Sequence, residues 1–348
     1  MEERHSEQVA TGEKLPVLNF PVTWKTLVMH VVGTRDFMPY HHNSAFSKAT
    51  GSRDAFLNTM FYQGLFGRQA TDWAGPRAVF RSMTLDMRSE VCPGDLIVSQ
   101  GSVKRVWQSE EDSLVELEFE IQVEGSVVTT STVVLALPTE DQPDPTMGQL
   151  SEVPEVVIDP STPDALREAL SKPIVRVSEY VVSEAQIMYW CEMVQDPNPL
   201  YIDGHYARES RYGGVIAPPT SIKIWCLPRA TQNGPNVSAP DVDLPDQAPW
   251  PNELEVPAIG VAVPGTTEVI AAKSHAEFGA PIRPGDTITS TTQVIKCSAL
   301  KQTRLGYGYF VTRVDQFHNQ EQAEVGRVTT STFHYGMSDE AVALAQNS

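Results

Sequence analysis

Apolar residues recur at helical spacing behind a hydroxyl residue at two places. Trp24, Leu27, Val28 and Val31 follow Thr23, and Ile187, Trp190, Cys191 and Val194 follow Ser183. A hydroxyl oxygen can accept from the free amides of a first helical turn, so Thr23 and Ser183 are predicted N-caps. A longer helix is predicted over 56–73, stopped by Ala74, Gly75 and Pro76, with Gly64 and Gly67 allowing it to approach a sheet closely. Elsewhere the period shortens. Stretches 96–106 and 287–295 are β-branched and roughly alternating, and each follows a Pro-Gly-Asp turn, at 93–95 and 284–286. Each half ends on a strand containing Thr-Thr-Ser-Thr, at 129–132 and 329–332. Helices first and strands later in each half predict an α+β fold, with a helix lying on an antiparallel sheet.

The same punctuation in the same order twice points to a duplication. Each N-cap precedes an aspartate by 13 residues, Thr23 to Asp36 and Ser183 to Asp196. From that aspartate to the Pro-Gly-Asp turn the count is 57 in the first half and 88 in the second, and the Pro- and Asn-rich stretch 228–257 is the expected surface loop. The predicted organisation is one domain over 14–140, a linker over 141–172 with a short helix near 163–170, and a second domain over 173–337. The first dozen residues and the tail after Met337 are expected to be loosely held.

The aspartates open two related hexapeptides, and the difference between them matters. Asp36 is followed by Pro39 and His41, whereas Asp196 is followed by Pro199 and Tyr201. A proline three residues on turns the chain back, so that Asp36 and His41 are able to face one space. Only the first half keeps an acid and an imidazole, which suggests one working half. His42 falls outside this register and reads as a surface residue or one that lies behind the site residues.

A chain of 348 residues with 41% hydrophobic content has enough material for two ordinary cores. Four cysteines (Cys92, Cys191, Cys226, Cys297) without a Cys-x-x-Cys pair, and the lack of an N-terminal apolar stretch, point to a reduced, cytoplasmic protein. A net charge of −18 argues against nucleic-acid and anionic-membrane partners, because phosphate is repelled by the average field. A phosphate-bearing ligand needs a local basic patch, for which Arg68, Arg77, Arg81, Lys104 and Arg105 are candidates. His205 and His275 have no metal-ligand spacing, and no cofactor fingerprint is present, so neither a metal nor a cofactor is expected.

The strings RDFMPYHHNSAF, FLNTMFYQGL and TDWAGP resemble the MaoC-like (R)-specific enoyl-CoA hydratases. Met38 departs from their signature, Asp-x-Asn-Pro-hydrophobic-His, where asparagine is usual. The string DPNPLYIDGHYARESRYGGVIAPPT resembles the degenerate dehydratase-like domain of the same superfamily, with Tyr201 where histidine belongs. More narrowly, the two halves are similar to a fused form of the small subunit and the N-terminal part of the large subunit of actinobacterial steroid side-chain enoyl-CoA hydratases.

The resemblance implies a tandem hotdog fold and hydration of a 2-enoyl-CoA, or the reverse dehydration, plausible for a bulky steroid acyl group. It implies His41 as general base, Asp36 as water-holder and proton partner, and the backbone amide of Thr59, 18 residues after His41, as oxyanion donor. The family usually has His-Gly where this chain has Asn58 and Thr59. The same count in the second half reaches Pro219, which has no N–H, so that half is expected to bind and shape rather than catalyse. Arg68, Arg77, Tyr201 and Trp225 are the candidate substrate-binding residues, with plain core as the alternative for Trp190, Tyr201 and Trp225. A hotdog thioesterase and a non-catalytic acyl-CoA-binding subunit are the competing readings. The expected partner is an acyl-CoA thioester, and a homodimer or association with other β-oxidation enzymes stays open.

Overall fold

The structure is a computed structural model that describes residues 3–142, 144–227, 263, 265–339 and 342–343. The first half runs β1 (Leu18–Pro21), α1 (Trp24–Thr34), α2 (Ser44–Ala49), α3 (Thr59–Ala74), β2 (Val79–Met87), β3 (Leu96–Gln108), β4 (Ser113–Val123) and β5 (Ser126–Leu137). The connector carries β6 (Val157–Ile158) and α4 (Asp164–Ser171). There follow β7 (Ile174–Val177), α5 (Glu184–Val194), α6 (Pro199–Ile202), α7 (Gly204–Glu209) and a 3₁₀ stretch, Pro219–Cys226. The second half closes with β8 (Glu268–Phe278), β9 (Thr289–Cys297), β10 (Lys301–Thr303), β11 (Gly306–His318) and β12 (Glu324–Tyr335).

All the strands join one sheet, in the order β1-β3-β4-β5-β2-β8-β12-β11-β9-β6, with β7 also on β9 and β10 on β11. The halves meet where β2 pairs antiparallel with β8, Ser82 opposite Glu277 through Leu85 opposite Ser274. This is the α+β arrangement that the sequence predicts, in the tandem hotdog form that the resemblance implies. Thr23 and Ser183 do cap α1 and α5, accepting from the amides of Thr26 and Gln186 at 3.2 Å each. Among the described residues no helix is long and apolar enough to cross a membrane.

Four expectations are corrected by the coordinates. The helix expected over 56–73 begins at Thr59, because the Asn58 side chain accepts from the Phe61 amide at 3.0 Å and caps it there. Gly64 and Gly67 serve approach to the other half rather than to the sheet. A Cβ on Gly64 would meet Val194, Met193 and Trp190 at 3.2–3.3 Å, and one on Gly67 would meet Thr220 at 3.0 Å. Residues 3–14 are not loose, since the Arg4 and Ser6 amides bond the carbonyls of Ala74 and Pro138, and Arg4 pairs with Glu13 at 2.8 Å.

The fourth correction concerns register. Counting from the two Pro-Gly-Asp turns, Ile97, Ser99, Gly101 and Val103 match Ile288, Ser290, Thr292 and Val294. Their partners follow: Leu117 opposite Val103 matches Arg313 opposite Val294, and Phe119 opposite Gly101 matches Asp315 opposite Thr292. One strand further, Ser131 opposite Phe119 matches Val328 opposite Asp315. The two Thr-Thr-Ser-Thr strings are therefore out of step by an odd number of residues. Thr129 and Ser131 are buried in the first, Thr330 and Thr332 in the second, so corresponding letters face opposite ways.

The second half departs most from the first at the position of α3. Among the described residues it has only the 3₁₀ stretch, opened by Pro218 and Pro219 and ended before Pro228, where the first half has the 16-residue α3. Consecutive prolines remove the amides that an α-helix would use. The loop expected over 228–257 lies outside the described residues, as does most of the tail after Met337. The connector helix α4 packs Leu166 and Leu170 against Val294, Cys297, Tyr309 and Val311.

Candidate active site

α1 ends in a left-handed residue, Arg35 (φ 56°), which redirects the chain into the overhang. The Arg35 guanidinium donates to the carbonyls of Ile224 (3.3 Å) and Leu227 (3.5 Å) and lies over the Tyr180 ring at 5.0 Å. The first-half overhang is thus fastened to the second half. Pro39–His41 then forms a 3₁₀ turn that brings the His41 ring back toward Asp36.

The Asp36 Oδ2 and His41 Nε2 atoms are 3.4 Å apart, and both side chains are only 10% exposed. His41 Nδ1 lies 2.8 Å from the Phe56 carbonyl oxygen. A carbonyl can only accept, so Nδ1 carries the proton, and Nε2 is the nitrogen that takes up or gives a proton beside the Asp36 carboxylate. On Asp36, Oδ1 accepts from the Met38 amide (3.3 Å) and Oδ2 from the Asn58 amide nitrogen (3.1 Å). Burial pushes the Asp36 carboxyl up, but the hydrogen bond and charge that the His41 ring supplies in its protonated form, with the Met38 N–H, outweigh it and hold the group below its ordinary value.

Sequence reasoning missed two residues of this cluster. Asn58 caps α3 through its oxygen while its nitrogen bonds both Asp36 and Thr34 Oγ1 (3.0 Å). His30 is fully buried, donates from Nδ1 to the Leu27 carbonyl (2.9 Å), and sets its ring edge-on to His41 with centroids 5.5 Å apart. Burial, then the neighbouring His41, lowers its pKa to about 3, so it stays neutral. A signal for His30 was present: Thr26, His30 and Thr34, four apart, place a polar stripe on the buried face of α1. Asn58 carried no such mark beyond its cap position.

Thr59 is the first residue of α3, and its amide has no hydrogen-bond partner among the described residues. The remaining predicted residues are not brought to Asp36 and His41 by a direct bond. Arg68 donates to the Val194 carbonyl (2.7 Å) and pairs with Asp72 (3.2 Å). Arg77 is half exposed and lies 3.6 Å from Glu3. The other members of the basic patch are also engaged by carboxylates: Arg81 by Asp112 at 2.6 Å, and Lys104 and Arg105 by Glu116 at 2.8 and 2.6 Å. Tyr201 and Trp225 are buried in the core.

The counterpart in the second half is built differently. Asp196 accepts from the Asn198 amide (3.0 Å) but has no imidazole beside it, and burial pushes its carboxyl up to about 7. Tyr201 and Pro219 border a cavity of about 40 Å³, room for little more than water. Two aspartates at the head of one motif therefore shift in opposite directions. Among the described residues no group of three or more His, Cys, Asp or Glu side chains is placed to hold a metal ion.

Solved structures agree in fold. A MaoC domain protein dehydratase from Chloroflexus aurantiacus is 14% identical, with a TM-score of 0.65 over 96% of this chain and 98% of that one. A conserved hypothetical Mycobacterium tuberculosis protein with a double hotdog fold is 13% identical, TM-score 0.61, covering 96% and 99%. The family described as FAS1-like, dehydratase domain region, matches residues 173–328. Among curated proteins, the probable enoyl-CoA hydratase alpha subunit of Thermomonospora curvata is 32% identical over 139 residues, 40% of each chain. The Mycobacterium tuberculosis 3-oxo-4,17-pregnadiene-20-carboxyl-CoA hydratase is similar in both subunits. Its alpha subunit is 26% identical over 44% of this chain and 45% of that one, and its beta subunit 35% identical over 27% and 74%. The chain thus spans less than half the length of the two alpha subunits and about three quarters of the beta subunit. On these grounds the chain belongs to the family of that hydratase beta subunit, and its fold is the double hotdog of the MaoC-like dehydratases.

Proposed function

We propose that this chain adds water across the α,β double bond of a 2-enoyl-CoA thioester, or runs the reverse dehydration. The observation that carries the reading is the buried Asp36–His41 pair, with His41 Nδ1 pinned on a carbonyl so that Nε2 is the free base. In the forward direction a water held between Nε2 and the Asp36 carboxylate loses a proton as its oxygen attacks C3. The thioester oxygen takes up enolate charge, and the unengaged Thr59 amide at the start of α3 is the group to stabilise it. Protonation of C2 by the same pair completes the addition. Which of the two gives the proton and which takes it is exchangeable in a coupled pair.

Two observations support the finer reading of a bulky acyl group. The relatives include a hydratase of a pregnadiene carboxyl-CoA, and the second half has a short 3₁₀ stretch where the first has a long helix. Those relatives are alpha and beta subunits, so further association of this chain, with itself or with other β-oxidation enzymes, belongs to the same proposal, as does a cytoplasmic location. Arg68 and Arg77 would each have to leave an acidic partner to meet CoA phosphates.

The test follows loss of enoyl absorbance and appearance of free thiol, with crotonyl-CoA and with a steroid enoyl-CoA. Hydration removes the absorbance without releasing CoA. Asp36→Asn and His41→Ala should each lower turnover by about 100-fold or more, while Tyr201→Phe stays within about threefold. Thiol release would instead identify a thioesterase, and equal losses from Tyr201 and His41 would mean two active sites.

A further inference from the structure

Matched by register, the inner face of the sheet changes chemistry between the first half and the second. Five apolar positions of the first half, Leu117, Phe119, Val133, Leu135 and Leu137, correspond to Arg313, Asp315, Thr330, Thr332 and His334. The first set is 0–3% exposed and forms the core under α3, where Phe66 meets Phe119 with ring centroids 5.5 Å apart. The second set is also buried, 5–8% exposed, and yet polar. Burying such groups costs stability that apolar residues at the same sites would not, so a folding role alone does not account for them.

Their hydrogen-bonding capacity is only partly used. Asp315 is satisfied on both oxygens, by Thr292 Oγ1 at 2.5 Å and Arg313 Nε at 3.2 Å. Beyond that Nε contact, the Arg313 guanidinium makes no hydrogen bond among the described residues. Thr330 Oγ1, directly across the ladder from Arg313, is buried without a partner. On the 3₁₀ stretch, where positions three apart share a face, Lys223 and Cys226 both sense the charge of Asp315. The Lys223 ammonium also has no partner among the described residues. Burial and then Arg313 push its pKa down, while Asp315 and Asp36 oppose this. Lys223 thus stands within electrostatic reach of both the proton-transfer pair and the polar floor. Three donors, Arg313, Lys223 and Thr330, await an acceptor, and the His334 ring beside them, bonded to Thr332 Oγ1 at 2.9 Å, is kept neutral with a pKa lowered to about 4 by burial and Arg313.

We infer that the inner face of the second half, at Lys223, Arg313 and Thr330, receives an acceptor oxygen, as an oxo or carboxylate group, carried at the end of the acyl chain remote from the thioester. The inference rests on the proposed reading of the chain as an acyl-CoA hydratase and names the substrate class within it. Arg313 and Lys223 donate to that oxygen, and Asp315 holds the guanidinium in place. A methyl-ended chain of equal length would leave Lys223 and Thr330 without an acceptor and Arg313 with its Asp315 bond alone, which is the basis of discrimination.

Binding, rather than turnover, separates this inference from the reaction itself. The full chain is titrated calorimetrically with three saturated acyl-CoAs of equal length, ending in a methyl, an oxo or a carboxylate group, none of which can be hydrated. The oxo or the carboxylate chain should bind at least tenfold more tightly than the methyl one, and whichever does so identifies the source of the oxygen. In the double variant Arg313→Leu with Asp315→Phe, which installs the first-half residue types, the ratio should fall below about threefold. Lys223→Met provides a second variant on a different element and should reduce the ratio at least threefold. Equal binding of the three chains, or no binding of any, overturns the inference, as does a preference that survives both substitutions. A tail preference without water addition to any enoyl-CoA would instead refute the hydratase reading and leave this site standing.

Discussion

Replacing Asn58 by aspartate isolates what that side chain does for Asp36. Asp and Asn cap helices about equally well, so the bond to the Phe61 amide is kept and α3 should begin at the same residue. The donor that now lies 3.1 Å from Asp36 Oδ2 is exchanged for an acceptor. A buried hydrogen bond to a charged group contributes about 1.5–3 kcal/mol, so its loss predicts a roughly 10- to 100-fold fall in turnover. The new carboxylate also adds a like charge. At about 4 Å and an effective dielectric near 20 the repulsion is about 4 kcal/mol, an upper bound of roughly 3 pKa units. Asp36 is held below its ordinary value at present, so the repulsion must raise it. The acid limb of kcat/KM against pH for crotonyl-CoA should therefore move to higher pH by about one to three units. Asn58→Ala removes the donor without adding charge and should lower turnover with a smaller displacement of the limb. An Asn58→Asp enzyme with an unmoved acid limb and ordinary turnover would refute the role given to Asn58.

Two further outcomes concern stability. Asp196 has a folded pKa raised from 3.8 to about 7, so its favourable contribution is present below 3.8 and is lost as pH rises through 7. Asp196→Asn should raise the melting temperature by several degrees at pH 8 and by little at pH 4, and an equal shift at both would count against the assignment. His30 has a folded pKa lowered from 6.5 to about 3, so between those values the unfolded chain binds a proton that the folded one refuses. Stability from this group should fall as pH decreases across that window by roughly 1.4 kcal/mol per unit, and His30→Phe should flatten the decline in urea melts at pH 6, 5 and 4.

Local chemistry was legible in the sequence, and neighbours across the chain were not. Thr23 and Ser183 were readable as caps because capping needs only the residues beside them. The meeting of Asp36 and His41 was anticipated from one proline. Gly64 and Gly67 announced a close approach, but spacing along a helix cannot say whether the neighbour is a sheet or another helix. Similar letters at 129–132 and 329–332 concealed opposite faces, since only pairing partners fix which way a strand residue points. The parts that Asn58 and His30 play beside the pair are hidden for the same reason. Their importance comes from Asp36 and His41, which lie 22 and 11 residues away.

The pairing of β2 with β8 within a single polypeptide has an evolutionary corollary. In an assembly of identical copies every substitution appears on both sides of the symmetry axis, so a change that suits one role damages the other. Here a codon altered for Pro219, Tyr201 or Arg313 leaves its counterpart untouched. Specialisation of one lobe can then proceed by single steps, without a second gene to maintain or an exchange of subunits to police.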